Sequence, residues 1–356
     1  MASFTVDRFA YLDPAGVPLG ELPEFARTSG ALIELYRAMC FTRAFDAKAV
    51  SLQRTGRLGT FASSLGQEAV SVGVGAAMRQ DDVLVPSFRE QGAQLLRGVS
   101  PVELLLYWGG DERGSDFAGP REDFPVCVPI GTHIPHAAGV ALAFQLRNER
   151  RVAVGVMGDG ATSRGDVYEA FNYAGVRQLP IVYVVNNNQW AISLPRSKQS
   201  AAETLAQKGI AAGIRCEQVD GNDVVAVRDR VEVALDLARD GAGPTLIEAL
   251  TYRLTDHTTA DDAGRYRSDA EVSEQWARDP VTRLRTYLVA TANWGRDDEE
   301  GVQAECHDWA EAAAAEYLAL PPRNAAALFD YLYETLPVPL LAQRAALLRQ
   351  IGGDDD

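Results

Sequence analysis

Asp159 and Asn188 are the two residues whose types and spacing most directly imply chemistry, and both lie in GDGATSRGDVYEAFNYAGVRQLPIVYVVNNNQWAIS, residues 158–193. The apolar run 152–157 reads as a buried parallel strand, and GDGAT bends the chain so that Asp159 emerges at its carboxyl end. Gly158 and Gly160 permit that turn and the close approach of a phosphate group. Residues 181–185 read as a second buried strand, with Asn186, Asn187 and Asn188 at its carboxyl end. Two hard oxygen side chains therefore face one crevice. With a main-chain carbonyl they supply half an octahedron, which suits a magnesium ion whose other ligands are diphosphate oxygens and water. A lone GDG ends many strands that bind nothing; asparagines about thirty residues on make the pair specific.

Three regions position this pair. Residues 1–28 carry turn signals at Asp13-Pro14, Gly16 and Pro23 with little periodicity, and read as an extended arm. Residues 29–268 hold the cofactor-binding domain, and within them helical and strand patterns alternate as far as about Ile247. This predicts an α/β fold whose parallel sheet has helices on both faces. Residues 269–356 form a charged helical tail, broken by prolines, that packs against a core or partner; its last five residues, GGDDD, read as a frayed end. Residues 52–77 are expected near a partner or substrate, while the glycine-rich GVGAA (73–77) within them fits tight helix packing equally well. No internal repeat is present.

Composition limits the partners. The chain carries 34 Lys and Arg against 49 Asp and Glu, a net charge of −15. That balance disfavours nucleic acid and anionic membrane, whose phosphates it repels. No apolar span long enough to cross a membrane occurs, and no signal-like start opens the sequence. Cys40, Cys127, Cys216 and Cys306 are scattered without a CxxC pair. Neither a zinc site nor a disulfide framework is indicated, and free thiols point to the cytoplasm.

The GDG and NN elements, at their spacing, match the thiamin diphosphate motif, and four further segments extend the match over residues 30–340. These are GQEAVSVGVGAAM (66–78), VPSFREQG (85–92), GIAAGIRCEQVDGNDVVAV (209–227) and TYRLTDHTTADDAGRYR (251–267). Together they resemble the alpha subunit of the decarboxylating component of two-subunit 2-oxo acid dehydrogenases. The resemblance implies thiamin diphosphate and Mg2+ as cofactors. It implies Asp159, Asn188 and the Trp190 carbonyl as metal ligands, and Arg89 as partner of the terminal phosphate. Phe88, Ile130, Gly158, Gly160, Ala161, Asn186 and Arg253 are carried over as cofactor contacts. Many relatives have tyrosine where Phe88 stands, so one hydroxyl donor is missing here. Ile192 matches the apolar residue that wedges between the two cofactor rings and bends the cofactor.

The same resemblance makes His257, in HTTADD, the catalytic histidine bordering the substrate and helping to pass the acyl group onward. His257 is also expected to touch the cofactor. His133 lies where the family makes main-chain contacts to the aminopyrimidine, and His136 is expected to cap or pack at the following helix. The loop also holds Arg253, Asp261, Asp262, Tyr266 and Arg267, and the resemblance implies that its opposite charges order it through ion pairs. Neither Glu68 nor Glu90 lies in the pattern of the glutamate that activates thiamin. The resemblance assigns that glutamate to a beta subunit, in a heterotetramer that feeds acyl groups to a lipoyl-bearing dihydrolipoamide acyltransferase. The expected reaction is oxidative decarboxylation of a 2-oxo acid, pyruvate first, with branched-chain 2-oxo acids as the alternative. A non-catalytic cofactor-binding scaffold is the remote alternative, and loss of a metal ligand, of Arg89 or of His257 would have marked it. A nicotinamide dehydrogenase is disfavoured because no GxGxxG turn follows a strand.

Overall fold

A computed structural model describes residues 3–329 and 332–351; the GGDDD end lies outside them. Eight strands are present among these residues: β1 (Asp7–Phe9), β2 (Val83–Val85), β3 (Ala153–Gly158), β4 (Ile181–Asn187), β5 (Trp190–Ala191), β6 (Leu194–Pro195), β7 (Arg215–Asp220) and β8 (Thr245–Leu250). Six form one wholly parallel sheet in the order β1-β7-β8-β4-β3-β2, while β5 and β6 make a small antiparallel hairpin.

The central strands are apolar throughout because both faces are covered. On β4, Ile181, Tyr183 and Val185 enter the core shared with helices His133–Arg147 and Gly165–Arg177. Val182 and Val184 enter the opposite core, against helices Glu68–Ala77 and Val224–Arg239. Each such buried aliphatic contributes roughly 1.5–3 kcal/mol, so the strand is pinned from two sides. GVGAA is helix packing: a Cβ on Gly73 would stand 2.6 Å from Val227, and one on Gly75 2.8 Å from Ala93.

The N-terminal segment does more than extend. Its β1 pairs in parallel with β7 as the sheet's edge. The buried Asp223 carboxylate ties it down, accepting the N–H groups of Tyr11 (2.7 Å) and Leu12 (2.8 Å) with one oxygen while the other caps helix Val224–Arg239. At the other end of the chain, helices Pro280–Thr291 and Arg296–Ala319 lay Leu284, Leu288, Val302 and Cys306 on the first long helix, Ser29–Arg54. All four cysteines are free. No helix among the described residues is long and apolar enough to cross a membrane.

Candidate functional site

β3 and β4 are neighbours in register, Gly158 opposite Asn186, so their carboxyl ends open side by side. After Gly158 the chain enters a single 3-10 turn, Asp159–Ser163, and the α-helix begins only at Gly165. The main-chain amides after Gly160 thus belong to that turn, ahead of the helix. Asp159 is 1% exposed, and its Oδ2 has no hydrogen-bond partner. Burial raises its carboxyl pKa to about 6. A buried carboxylate oxygen without a partner is costly unless a cation or donor meets it.

Strand alternation sorts the three asparagines. Asn186 and Asn188 line the cleft, whereas Asn187 points away and donates to Glu248 Oε1 at 2.7 Å. Asn188 Nδ2 donates to Gln67 Oε1 at 2.8 Å, which fixes the amide and leaves its Oδ1 accepting only the Trp190 N–H, at 3.2 Å. Asn186 Oδ1 and Gln67 Nε2 are unpartnered. The β5–β6 hairpin then brings Trp190, Ala191 and Ile192 over the turn, close enough that a Cβ on Gly160 would sit 3.0 Å from that of Ala191. Ile192 adopts φ +57 and is 54% exposed. For a β-branched residue that conformation costs on the order of 1–3 kcal/mol, a strain typical of functional loops.

The opposite wall is Ser87 to Glu90. Arg89 is 5% exposed, and its guanidinium has no carboxylate partner among the described residues. Its Nη1 donates to the Ser63 carbonyl (2.5 Å) and its Nη2 to the His257 carbonyl (2.6 Å), with His257 Nδ1 at 3.1 Å from Nη2. Burial, and then the Arg253 charge, lower its pKa to about 10. Because a guanidinium can only donate, His257 Nδ1 must accept, which leaves the imidazole proton on Nε2. Burial together with Arg89 and Arg253 depresses the His257 pKa to about 4, so the ring is neutral near pH 7. Its folded pKa lies below the unfolded value, so this group costs stability as pH falls from 6.5 towards 4. NMR titration of His257 in the cofactor-free protein is expected to show a midpoint well under 6.5; a midpoint at or above it would contradict this packing.

Phe88 meets the His257 ring edge-on at 6.0 Å and carries the Arg89 guanidinium 5.0 Å over its own ring. Its position is structural even without a hydroxyl. Ile130, Gly158, Gly160 and Ala161 also line the cleft, together with His257. Arg253 does not: it is fully buried behind the wall, donating to Ile192 O (2.8 Å), Tyr266 Oη (2.8 Å) and Trp190 O (3.4 Å). It braces the hairpin from outside the cleft. The 253–267 loop is held by hydrogen bonds where ion pairs were expected: Arg267 bonds the carbonyls of Arg253, Leu254 and Thr255, and Asp261 accepts the His257 N–H and the Tyr266 hydroxyl. His133 is buried with Nε2 2.7 Å from the Val156 carbonyl, and His136 stacks on Phe124.

Gln67, Ser87, Glu90 and Ala191 line the cleft without having been singled out from sequence. Gln67 had a signal: a polar residue immediately before a helix that is otherwise buried and apolar. No cluster of three or more His, Cys, Asp or Glu able to hold a metal occurs among the described residues. A cation between Asp159, Asn188 and Trp190 would meet one carboxylate, one amide oxygen and one carbonyl, an all-oxygen set that needs a ligand's oxygens to complete it. The cleft holds about 190 Å3, less than the roughly 300–1,000 Å3 of sites that enclose a whole small molecule. It fits the anionic end of a larger cofactor.

Replacing Arg89 with alanine is expected to weaken diphosphate binding by about 1.5–3 kcal/mol, the range for a charged hydrogen bond. Calorimetric titration of thiamin diphosphate checks this, and unchanged affinity would remove Arg89 from the site.

Residues 36–323 match the family model for the dehydrogenase E1 component. The 3-methyl-2-oxobutanoate dehydrogenase subunit alpha of Mycobacterium tuberculosis is 42% identical, covering 100% of this chain and 97% of the relative. The pyruvate dehydrogenase E1 component subunit alpha of Acholeplasma laidlawii is 41% identical over 83% and 87% of the two chains. That of Staphylococcus aureus is 39% identical over 89% and 86%. By the extent of these matches, this chain belongs to the dehydrogenase E1 component family.

Proposed function

We propose that the chain is the alpha subunit of a 2-oxo acid dehydrogenase that binds thiamin diphosphate with Mg2+ and decarboxylates its substrate oxidatively. The observation that carries this reading is the pairing, in one cleft, of Asp159 with an unpartnered oxygen and Arg89 without a carboxylate. One awaits a cation and the other an anion, and a metal diphosphate meets both. Asp159, Asn188 and the Trp190 carbonyl hold the metal, and Arg89 holds the terminal phosphate. The chemistry supplied by bound thiamin diphosphate is that of a nucleophile and electron sink for decarboxylation. Ile192 packs against the cofactor's rings and sets their angle. The neutral His257 imidazole donates a hydrogen bond from its Nε2–H to an oxygen of the substrate or acyl group, stabilising charge that develops there. Arg253 keeps Trp190 and Ile192 in place.

The second half of the site comes from a beta subunit in a heterotetramer, and the acyl group passes to a lipoyl-bearing acyltransferase. The small cleft and the lack of a suitable activating glutamate support this division. Four free cysteines support a cytoplasmic location. The segments TLAQKGIAAGI and IPHAAGVALA resemble bacterial pyruvate dehydrogenase alpha subunits slightly more than branched-chain ones, which favours pyruvate as substrate. The relative that spans this whole chain bears the name of a branched-chain enzyme, which favours 3-methyl-2-oxobutanoate as the second reading. One methylene is worth only about 1–3 kcal/mol of discrimination, so kcat/KM on both acids with the assembled enzyme decides. A preference for pyruvate is expected, and a preference for the branched acid would overturn that choice.

A further inference from the structure

A second crevice, of about 580 Å3, opens beside the carboxyl ends of β7 and β8 and shares Trp190 with the cofactor cleft. Its volume lies within the range of sites that take a small molecule. In a chain of net charge −15, three of its lining residues are arginines: Arg8 on β1, Arg196 after the hairpin, and Arg278. The two acids on its wall are already engaged, Asp220 by Arg283 at 2.9 Å and Glu271 by the Tyr252 hydroxyl at 2.7 Å. Arg196 is held by the carbonyls of Ala202 and Glu203. Arg8 and Arg278 have no side-chain partner among the described residues.

An independent observation points to a ligand with a donor group. Asn222, 6% exposed, also lines the crevice. Its Nδ2 donates to the Arg278 carbonyl at 2.7 Å, which fixes the amide orientation, and its Oδ1 is left unpartnered. A buried acceptor of this kind is normally satisfied.

We infer that this crevice is an effector site for a small organic anion bearing a phosphate or carboxylate together with a hydroxyl. The arginines take the anion and Asn222 Oδ1 takes the hydroxyl proton. The site reaches the cofactor cleft through a shared wall. Trp190, whose indole N–H donates to the Tyr252 hydroxyl at 3.2 Å, lines both the crevice and the cofactor cleft, and the Arg196 N–H is bonded to the Gln189 carbonyl at 2.9 Å. An occupant that stiffens or shifts this hairpin changes cofactor affinity, and by linkage the cofactor changes the occupant's affinity by the same factor.

The test uses the assembled alpha-beta enzyme saturated with Mg2+ and thiamin diphosphate, so that added anions do not register at the diphosphate cleft. Glycerol 3-phosphate and inorganic phosphate are titrated calorimetrically into wild type and into the double variant Arg8→Gln, Arg278→Gln, whose two side chains support nothing else. Saturable binding of one glycerol 3-phosphate per alpha chain, tighter than phosphate, is expected, with at least a tenfold loss in the variant. No saturable binding, or equal binding in the variant, would overturn the site. Thiamin diphosphate is then titrated into cofactor-free enzyme with and without glycerol 3-phosphate, at concentrations that spare the cleft in the double variant. A shift of at least twofold in wild type alone supports the effector role, and no shift overturns it.

Discussion

Asp159→Ala is expected to abolish metal-dependent binding of thiamin diphosphate while leaving the fold intact. Of the three proposed ligands only Asp159 carries a charge, so the variant leaves an amide oxygen and a carbonyl to hold the cation. The loss should exceed the roughly 10–100-fold typical of residues that only support a metal ligand. Stability moves the other way. A carboxyl whose folded pKa is raised to about 6 from 3.8 lowers stability as pH rises through that interval, by on the order of 3 kcal/mol in full. Removing the group lifts that penalty, so at pH 7 the cofactor-free variant should melt no lower than wild type. Calorimetric titration with Mg2+ and a thermal melt read the two effects separately. Unchanged cofactor affinity would sink the metal assignment, and a collapsed melt would mean that Asp159 serves the fold.

His257→Ala has the second largest expected effect, and it should fall on a different step. The shortest anchor that this residue offers Arg89 is its main-chain carbonyl at 2.6 Å, which alanine keeps. The loop also retains the bond from the residue 257 N–H to Asp261 at 2.9 Å. Cofactor affinity should therefore change little. What disappears is the neutral imidazole with its proton on Nε2, and positioned acid–base groups are worth about 10²–10⁴-fold. The loss is expected in transfer of the acyl group to the lipoyl domain, with decarboxylation to an artificial acceptor reduced far less. Wild-type overall turnover in the variant would remove His257 from the reaction.

Elements written by local pattern were legible from the residues. The two apolar runs before GDG and NNN are neighbouring interior strands of the sheet, and both motif ends open into one cleft. Period-two alternation even separates Asn187 from its neighbours. Features made by distant contacts were not legible. The Asp7–Phe9 strand has no pattern of its own and exists because β7 and Asp223 receive the arm. Arg253 resembles a ligand residue by motif, but the return of the chain after β8 puts it behind the wall. The Gln67 side chain is tied to the cleft by Asn188, a partner 121 residues away in sequence. The 253–267 loop reads as charged, yet carbonyls and a phenol satisfy its arginines, a choice that spacing cannot reveal.

The central claim is that this chain forms half of a shared thiamin-dependent site. Its most direct test is decarboxylation of pyruvate and 3-methyl-2-oxobutanoate, with Mg2+, thiamin diphosphate and an artificial electron acceptor, by this chain alone and co-expressed with its beta subunit. Activity in the pair and none in the chain alone is the predicted result. Activity of the isolated chain would contradict the shared site, and a cofactor-loaded pair inactive on both acids would contradict the reaction.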